Sequence, residues 1–212
     1  MSGVDPRVRA VLKLAPVIPV FTPENVDDAV HVAQALFRGG LPVIEVTLRT
    51  PTAMDAIAAM VEAVPDAVIG AGTVLDAAQM EKVKAIGGRF AVSPGATARL
   101  YAAARDTDLA FLPGVATSSE LMAGLEQGLD TFKFFPAVQA GGAAMLSAWN
   151  GPFGDVRFCP TGGISAATAP DFLKLPNVLC VGGSWLTTRD LLQSRDWAKI
   201  EALAKQSAVL AG

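Results

Sequence analysis

Short runs of β-branched and aromatic residues alternate along the chain with longer, Ala-rich segments whose apolar residues recur every three to four positions. The short runs are PVIPVF (16–21), PVIEVTL (42–48), AVIGAG (67–72), RFAVS (89–93), LAFLP (109–113), TFKFF (131–135), VRFCP (156–160) and VLCVG (178–182). The segments between them read as helices, among them 24–38, 52–64, 76–86 and 118–127, and a further helix over 5–14 precedes the first strand. Thr117-Ser118-Ser119-Glu120 has the Thr-x-x-Glu spacing of a capping box, which marks a helix start. Connections are short, and each helix provides the crossover that neighbouring parallel strands require. Eight such units within 212 residues predict a single-domain (β/α)8 TIM barrel over 1–212, with an extra N-terminal helix, in preference to an open doubly wound sheet. Such a fold places its site at the C-terminal ends of the strands.

Composition narrows the function. With 51% hydrophobic and 17% charged residues, the chain can bury a substantial core. A net charge of −3, with both signs interspersed, offers no basic stripe for nucleic acid. No apolar run approaches the roughly 20 residues that span a bilayer, and the opening MSGVDPRVRA has no apolar signal core. A cytoplasmic location is expected. Cys159 and Cys180 lie in strand-like runs and read as buried free thiols in a reducing compartment. The single histidine, His31, sits in the helical pattern VDDAVHVAQALF without a ligand-spaced partner, so it reads as a helix-surface residue. No cluster of zinc ligands is present in the pattern, and neither a metal nor a cofactor is expected.

Two strands carry charges where a covered parallel sheet should be apolar. In TFKFFP, Lys133 shares a face with Thr131 and Phe135 and is surrounded by phenylalanines. An ammonium ion buried without a partner is costly, and such groups usually respond by losing the proton. A neutral amine is what addition to a carbonyl needs. The strand alone leaves the opposite orientation open, with the lysine stem on a helix and its head in water. In VIEVTLRT, Glu45, Thr47 and Arg49 share one face. Glu45 suits general acid/base work and Arg49 suits a carboxylate clamp; a structural Glu–Arg ion pair is the alternative. The seventh strand runs into Thr161-Gly162-Gly163-Ile164-Ser165 and the eighth into Gly182-Gly183-Ser184. Glycines at these two ends let backbone N–H groups approach a phosphate near a helix N-terminus, although plain tight turns would look the same. Thr73, in Gly70-Ala71-Gly72-Thr73, offers a hydroxyl at another strand end.

EVTLRT (45–50), GAGTVL (70–75), SPG (93–95), FKFFPA (132–137), CPTGGIS (159–165) and GGSWL (182–186) occur in this order. Together they resemble the 2-keto-3-deoxy-6-phosphogluconate (KDPG) aldolase and 4-hydroxy-2-oxoglutarate aldolase family, over about residues 10 to 200. The resemblance implies a homotrimeric (β/α)8 barrel of the Entner-Doudoroff pathway that acts on a 2-keto acid phosphate and releases pyruvate. It implies Lys133 as the Schiff-base lysine and Glu45 as the proton carrier. Arg49, Thr73 and Thr161 fall at positions around the carboxylate and keto end. Gly162, Gly163, Gly182, Gly183 and Ser184 fall at the phosphate end. Some relatives carry an arginine near the end of the first strand, where this chain reads Val20-Phe21-Thr22. That departure leaves a phosphate mainly to backbone amides and Ser184. A sugar-phosphate isomerase or epimerase working without an imine is the rival reading.

Overall fold

The computed structural model describes residues 6–210. Its elements run α1 (Arg7–Leu12), β1 (Val17–Phe21), α2 (Val26–Arg38), β2 (Val43–Thr47), α3 (Ala53–Ala63), β3 (Val68–Gly72) and α4 (Ala77–Ala85). They continue with β4 (Phe90–Val92), α5 (Ala98–Thr107), β5 (Ala110–Leu112), β6 (Gly114–Val115), α6 (Ser118–Glu126), β7 (Thr131–Phe134) and α7 (Gly142–Trp149). The last are β8 (Arg157–Pro160), α8 (Ala169–Leu173), β9 (Val181–Gly183), a 3-10 turn (Trp185–Thr187), α9 (Arg189–Gln193) and α10 (Trp197–Ala208).

The strands pair in parallel, in one run ordered β5-β4-β3-β2-β1-β9 and another ordered β6-β7-β8. This is an α/β fold on a curled parallel sheet. Two departures from the sequence pattern have backbone causes. The fifth apolar run splits into β5 and β6 around Pro113, which has no N–H to give to a neighbour; its carbonyl still accepts from the Lys133 N–H at 2.9 Å. The run 178–182 forms a regular strand only from Val181, and bridges pair Phe158 with Val178 and Thr161 with Gly182. The β9 side therefore holds one more residue than the β8 side between those bridges, which is a local bulge. The helix expected over 5–14 is Arg7–Leu12, residue 5 lying outside the described residues.

Alternation along the strands sorts side chains into two apolar clusters. Phe21, Ile44, Val46, Ile69, Ala71, Phe132, Phe134 and Phe158 pack with helix residues such as Val32, Leu36, Ile57 and Met60. The other strand face supplies Ile18, Val43, Phe90, Val92, Ala110, Leu112, Cys159 and Cys180, joined by Val8 and Leu12 of α1. Helix α1 thus covers that face with two apolar side chains. A side chain at Gly70 would collide with the Phe90 ring, so the glycine makes room for an aromatic whose burial is worth about 1.5–3 kcal/mol.

Several helix starts, those of α2, α4, α5, α6 and α10, are capped by short polar side chains. Asn25 accepts from Asp28 N–H at 2.8 Å, and Thr117 and Glu120 form the expected capping box of α6. His31 is an exposed residue of α2, stacked on Trp197 with ring centroids 5.6 Å apart. Cys159 and Cys180 are free and buried. Burial, and next the neighbouring Cys159, push the Cys180 thiol well above its ordinary value. Among the described residues, no helix is long and apolar enough to cross a membrane, and no three His, Cys, Asp or Glu side chains gather as a metal site would require.

Candidate active site

β2 and β7 each bring one charged side chain to the face shared with Val43, Thr131 and Cys159. Lys133 Nζ donates to Glu45 Oε1 at 3.0 Å, and the two side chains are only 6% and 4% exposed. Of the orientations left open by the sequence, the inward one holds. The lysine is nonetheless not the unpaired cation that its aromatic surroundings suggest. Its charge is met by a carboxylate from across the sheet, and the Phe135 ring lies 5.3 Å from Nζ. A buried pair of this kind costs desolvation on both sides, and removing one partner typically costs about 3–5 kcal/mol. Chemically, a proton passed along the 3.0 Å contact leaves a free amine beside a neutral carboxylic acid.

Glycine makes the pair fit. A Cβ on Gly72, the last residue of β3, would lie inside the van der Waals envelope of Glu45 Oε1 and 2.7 and 2.8 Å from Glu45 Cγ and Cδ. Gly114 of β6 pairs in register with Lys133, and its bare Cα allows the Ser93–Pro94 backbone to cross closely beside it. Sequence reading singled out neither glycine for a role. The available signal was a glycine on a strand next to one bearing a buried charge.

Arg49 does not pair with Glu45. It extends past the end of β2, is exposed, and donates through Nε to Thr73 Oγ1 at 3.1 Å. Thr73 adopts the left-handed conformation, φ 60°, which is uncommon for a threonine and turns its hydroxyl toward Arg49. Thr161, at the end of β8, is 7% exposed and fills the space that a side chain at Gly182 would take.

The glycine loops are less uniform than their sequences suggest. Gly162 and Gly163 have φ of 107° and 76°, so glycine is needed there for the turn itself. Gly182 and Gly183 lie at the end of β9 under Thr161 and the Trp185 ring. Neither loop runs straight into a long helix. α8 starts only at Ala169, and Ser184, which is exposed, leads into the three-residue turn Trp185–Thr187. Neither glycine turn therefore stands at the start of a long helix, where a dipole contribution was expected. The 138–142 segment, for which the sequence suggested no role, lies against the Gly162 loop: Ala137 N–H donates to Thr161 O at 2.8 Å and Val138 N–H to Gly162 O at 3.1 Å.

A buried lysine held against a carboxylate is chemistry suited to adding an amine to a carbonyl, and comparison with known proteins names the reaction class. The family model described as KDPG and KHG aldolase matches residues 8–203. The KHG/KDPG aldolase of Escherichia coli K12 is 48% identical over 198 residues, covering 93% of each chain. A crystal structure of the 2-keto-3-deoxy-6-phosphogluconate aldolase of Zymomonas mobilis ZM4 with 3-phosphoglycerate is 49% identical, with a TM-score of 0.93 over 97% of this chain and 96% of that one. The KDPG aldolase of Legionella pneumophila, with pyruvate captured as a covalent carbinolamine intermediate, is 47% identical, with a TM-score of 0.92 over 94% and 97%. The protein is an aldolase. It belongs to the KDPG and KHG aldolase family. The rival reading as an isomerase or epimerase finds no support among these relatives.

Proposed function

We propose that this protein cleaves 2-keto-3-deoxy-6-phosphogluconate to pyruvate and glyceraldehyde 3-phosphate through a Schiff base on Lys133, and that it also cleaves 4-hydroxy-2-oxoglutarate to pyruvate and glyoxylate. The observation that carries this reading is the 3.0 Å contact between two buried, opposite charges, Lys133 and Glu45. Glu45 takes the ammonium proton, and the free amine adds to the C2 carbonyl. Glu45 returns that proton to the carbinolamine hydroxyl, which leaves as water and gives a protonated imine, an electron sink, while Glu45 is again a carboxylate. Glu45, directly or through a water, then accepts the C4 hydroxyl proton. The C3–C4 electron pair moves into the enamine, and the aldehyde leaves. Glu45 returns a proton to C3, and hydrolysis of the imine frees pyruvate and restores the amine. Neither a metal nor a cofactor enters this scheme.

Arg49 and Thr73 hold the C1 carboxylate, with Thr161 beside the keto carbon. At the other end, the backbone of Gly162, Gly163, Gly182 and Gly183 and the Ser184 hydroxyl receive the phosphate. Fixing both ends aligns the C3–C4 bond, an effect that can reach about 7 kcal/mol or more. The strand pairing supports a complete (β/α)8 barrel in one domain over 1–212, in which β5 and β6 act as one strand interrupted at Pro113 and α1 is the extra helix. A homotrimer in the cytoplasm accords with the family and with two free, buried cysteines.

The test is chemical capture. Incubation with pyruvate and borohydride, followed by intact mass and peptide mapping, should add one reduced pyruvate to the peptide containing Lys133. Lys133→Met should take up none and lose turnover while remaining folded. Normal turnover in that variant, or no adduct on the folded wild-type protein, would sink the mechanism.

A further inference from the structure

A general base that works on carbon must trade its proton with water, yet Glu45 is buried even before a ligand covers it. Its surroundings decide the route. The space that a side chain at Gly72 would fill holds the Glu45 carboxyl group. Gly72 pairs in register with Thr47, and neighbouring strands lie about 4.8 Å apart. The carboxyl group has therefore leaned along the sheet to the level of Thr47. It lies about one strand spacing from that residue, a gap that one water bridges. Alternation agrees, because Ile44 and Val46 belong to the apolar cluster under the helices and leave Glu45 and Thr47 on the opposite face.

Thr47 is fully buried, and its hydroxyl lies 2.7 Å from that of Thr22. Thr22 stands just past the end of β1 and is half-buried. The Thr50 and Thr52 hydroxyls donate to Pro23 O at 2.7 and 3.3 Å, which fastens the chain beside Thr22 to the segment between β2 and α3. Glu45, Thr47 and Thr22 thus form a series that begins at a buried acid and ends where water reaches. A hydroxyl can accept one hydrogen bond while it donates another. The 2.7 Å contact can run in either direction, so the pair can pass a proton outward or inward.

We infer that the Thr47–Thr22 hydroxyl pair is the relay through which Glu45 exchanges its proton with solvent. This inference rests on the aldolase reading, in which pyruvate is held as an imine on Lys133. Glu45 takes a proton from the pyruvate methyl group, and the C–H electron pair moves toward the imine to give the enamine. The carboxylic acid gives that proton, through the bridging water, to Thr47 Oγ1. The Thr47 hydrogen passes to Thr22 Oγ1, and the Thr22 hydrogen passes to solvent water. In deuterium oxide a deuteron returns by the same steps reversed, and Glu45 places it on carbon. Each hydroxyl ends with one hydrogen, and Glu45 ends as a carboxylate. Lys133 is bound in the imine throughout, so it is not the carrier. Thr47 and Thr22 act through Glu45 and are positioning residues.

The experiment measures two rates in wild type, Thr22→Val and Thr22→Ser. One is deuterium uptake at the pyruvate methyl, read by NMR. The other is borohydride trapping of pyruvate on Lys133, which needs the imine but no exchange with solvent. The expected result is an exchange-to-trapping ratio lowered about tenfold in Thr22→Val, less than the loss of Glu45 itself would cause because water still reaches the acid slowly. Thr22→Ser keeps the hydroxyl and should restore the ratio to within about twofold. A melting curve checks folding, and Thr22→Ala replaces Thr22→Val if the latter does not fold. A ratio that stays at the wild-type value overturns the inference, whether both rates persist or both fall together; the second outcome would make the pair only a latch between β1 and β2. A wild-type protein that traps pyruvate yet exchanges no methyl hydrogen overturns it as well. Failure to trap pyruvate on wild-type Lys133 would overturn the aldolase reading instead, so the two failures are distinguishable.

Discussion

Gly72→Ala isolates the geometry of the lysine–glutamate pair without touching either partner. The strand backbone at Gly72 does not require a positive φ, so alanine is conformationally acceptable there. Its methyl group, however, would sit 2.7 and 2.8 Å from Glu45 Cγ and Cδ and closer still to Oε1. Carbon–carbon contacts relax at about 3.5–4.0 Å, so the carboxylate must retreat by about 1 Å. Moving that far from a 3.0 Å contact takes Oε1 out of hydrogen-bond range of Lys133 Nζ. A misplacement of about 1 Å in a catalytic group costs on the order of 10²-fold in rate, and the overpacking itself about 1–3 kcal/mol of stability. Two readouts separate these effects: the rate of borohydride-trapped pyruvate uptake, and pyruvate release from KDPG followed with coupled lactate dehydrogenase. Gly70→Ala is the internal control, because its methyl meets the Phe90 ring rather than Glu45. It should destabilise comparably yet keep the chemistry of the folded fraction. A folded Gly72→Ala protein that forms the imine at the wild-type rate would refute the claim that Glu45 prepares the amine.

Other perturbations test separate parts of the account. Glu45→Gln should slow deuterium exchange at the pyruvate methyl by about 10²-fold or more, as expected when a general base is lost; unchanged exchange, read by NMR, removes Glu45 from that role. At the helix level, Glu120 Oε2 accepts from Ala116 N–H at 2.8 Å and Thr117 N–H at 2.9 Å. The Ala116 bond foremost, with the Thr117 bonds adding to it, holds the Glu120 carboxyl below its ordinary value. Its stabilisation is therefore present above the ordinary carboxylate pKa and fades as pH falls through the lowered folded-state value. Glu120→Gln should lower Tm at pH 7 by about 2–4 °C, as loss of about 1 kcal/mol of cap does in a protein of this size. That gap should close in melts taken below the carboxylate range; a gap of constant size would show that the carboxylate charge is not what matters.

Much of this protein was legible in its residues. Period-two alternation and 3.6-residue spacing report only which face of an element is apolar, and that was enough to locate the strands and the principal helices. The same alternation singled out Lys133 and Glu45, because a charge on a covered strand has no inexpensive place to go. Three things were decided only when the chain packed. The fifth strand broke at Pro113, where the missing N–H matters only once a neighbour needs a donor. Glu45 found Lys133 rather than Arg49, since 88 residues of chain separate the pair and only the curl of the sheet brings β2 and β7 face to face. Gly72, Gly182 and Gly183 acquired their meaning from Glu45, Thr161 and Trp185, the side chains that occupy the space they leave. Alternation along a strand says which way a side chain points. What it meets there depends on register and curvature, which belong to the assembled sheet and are written in no single segment.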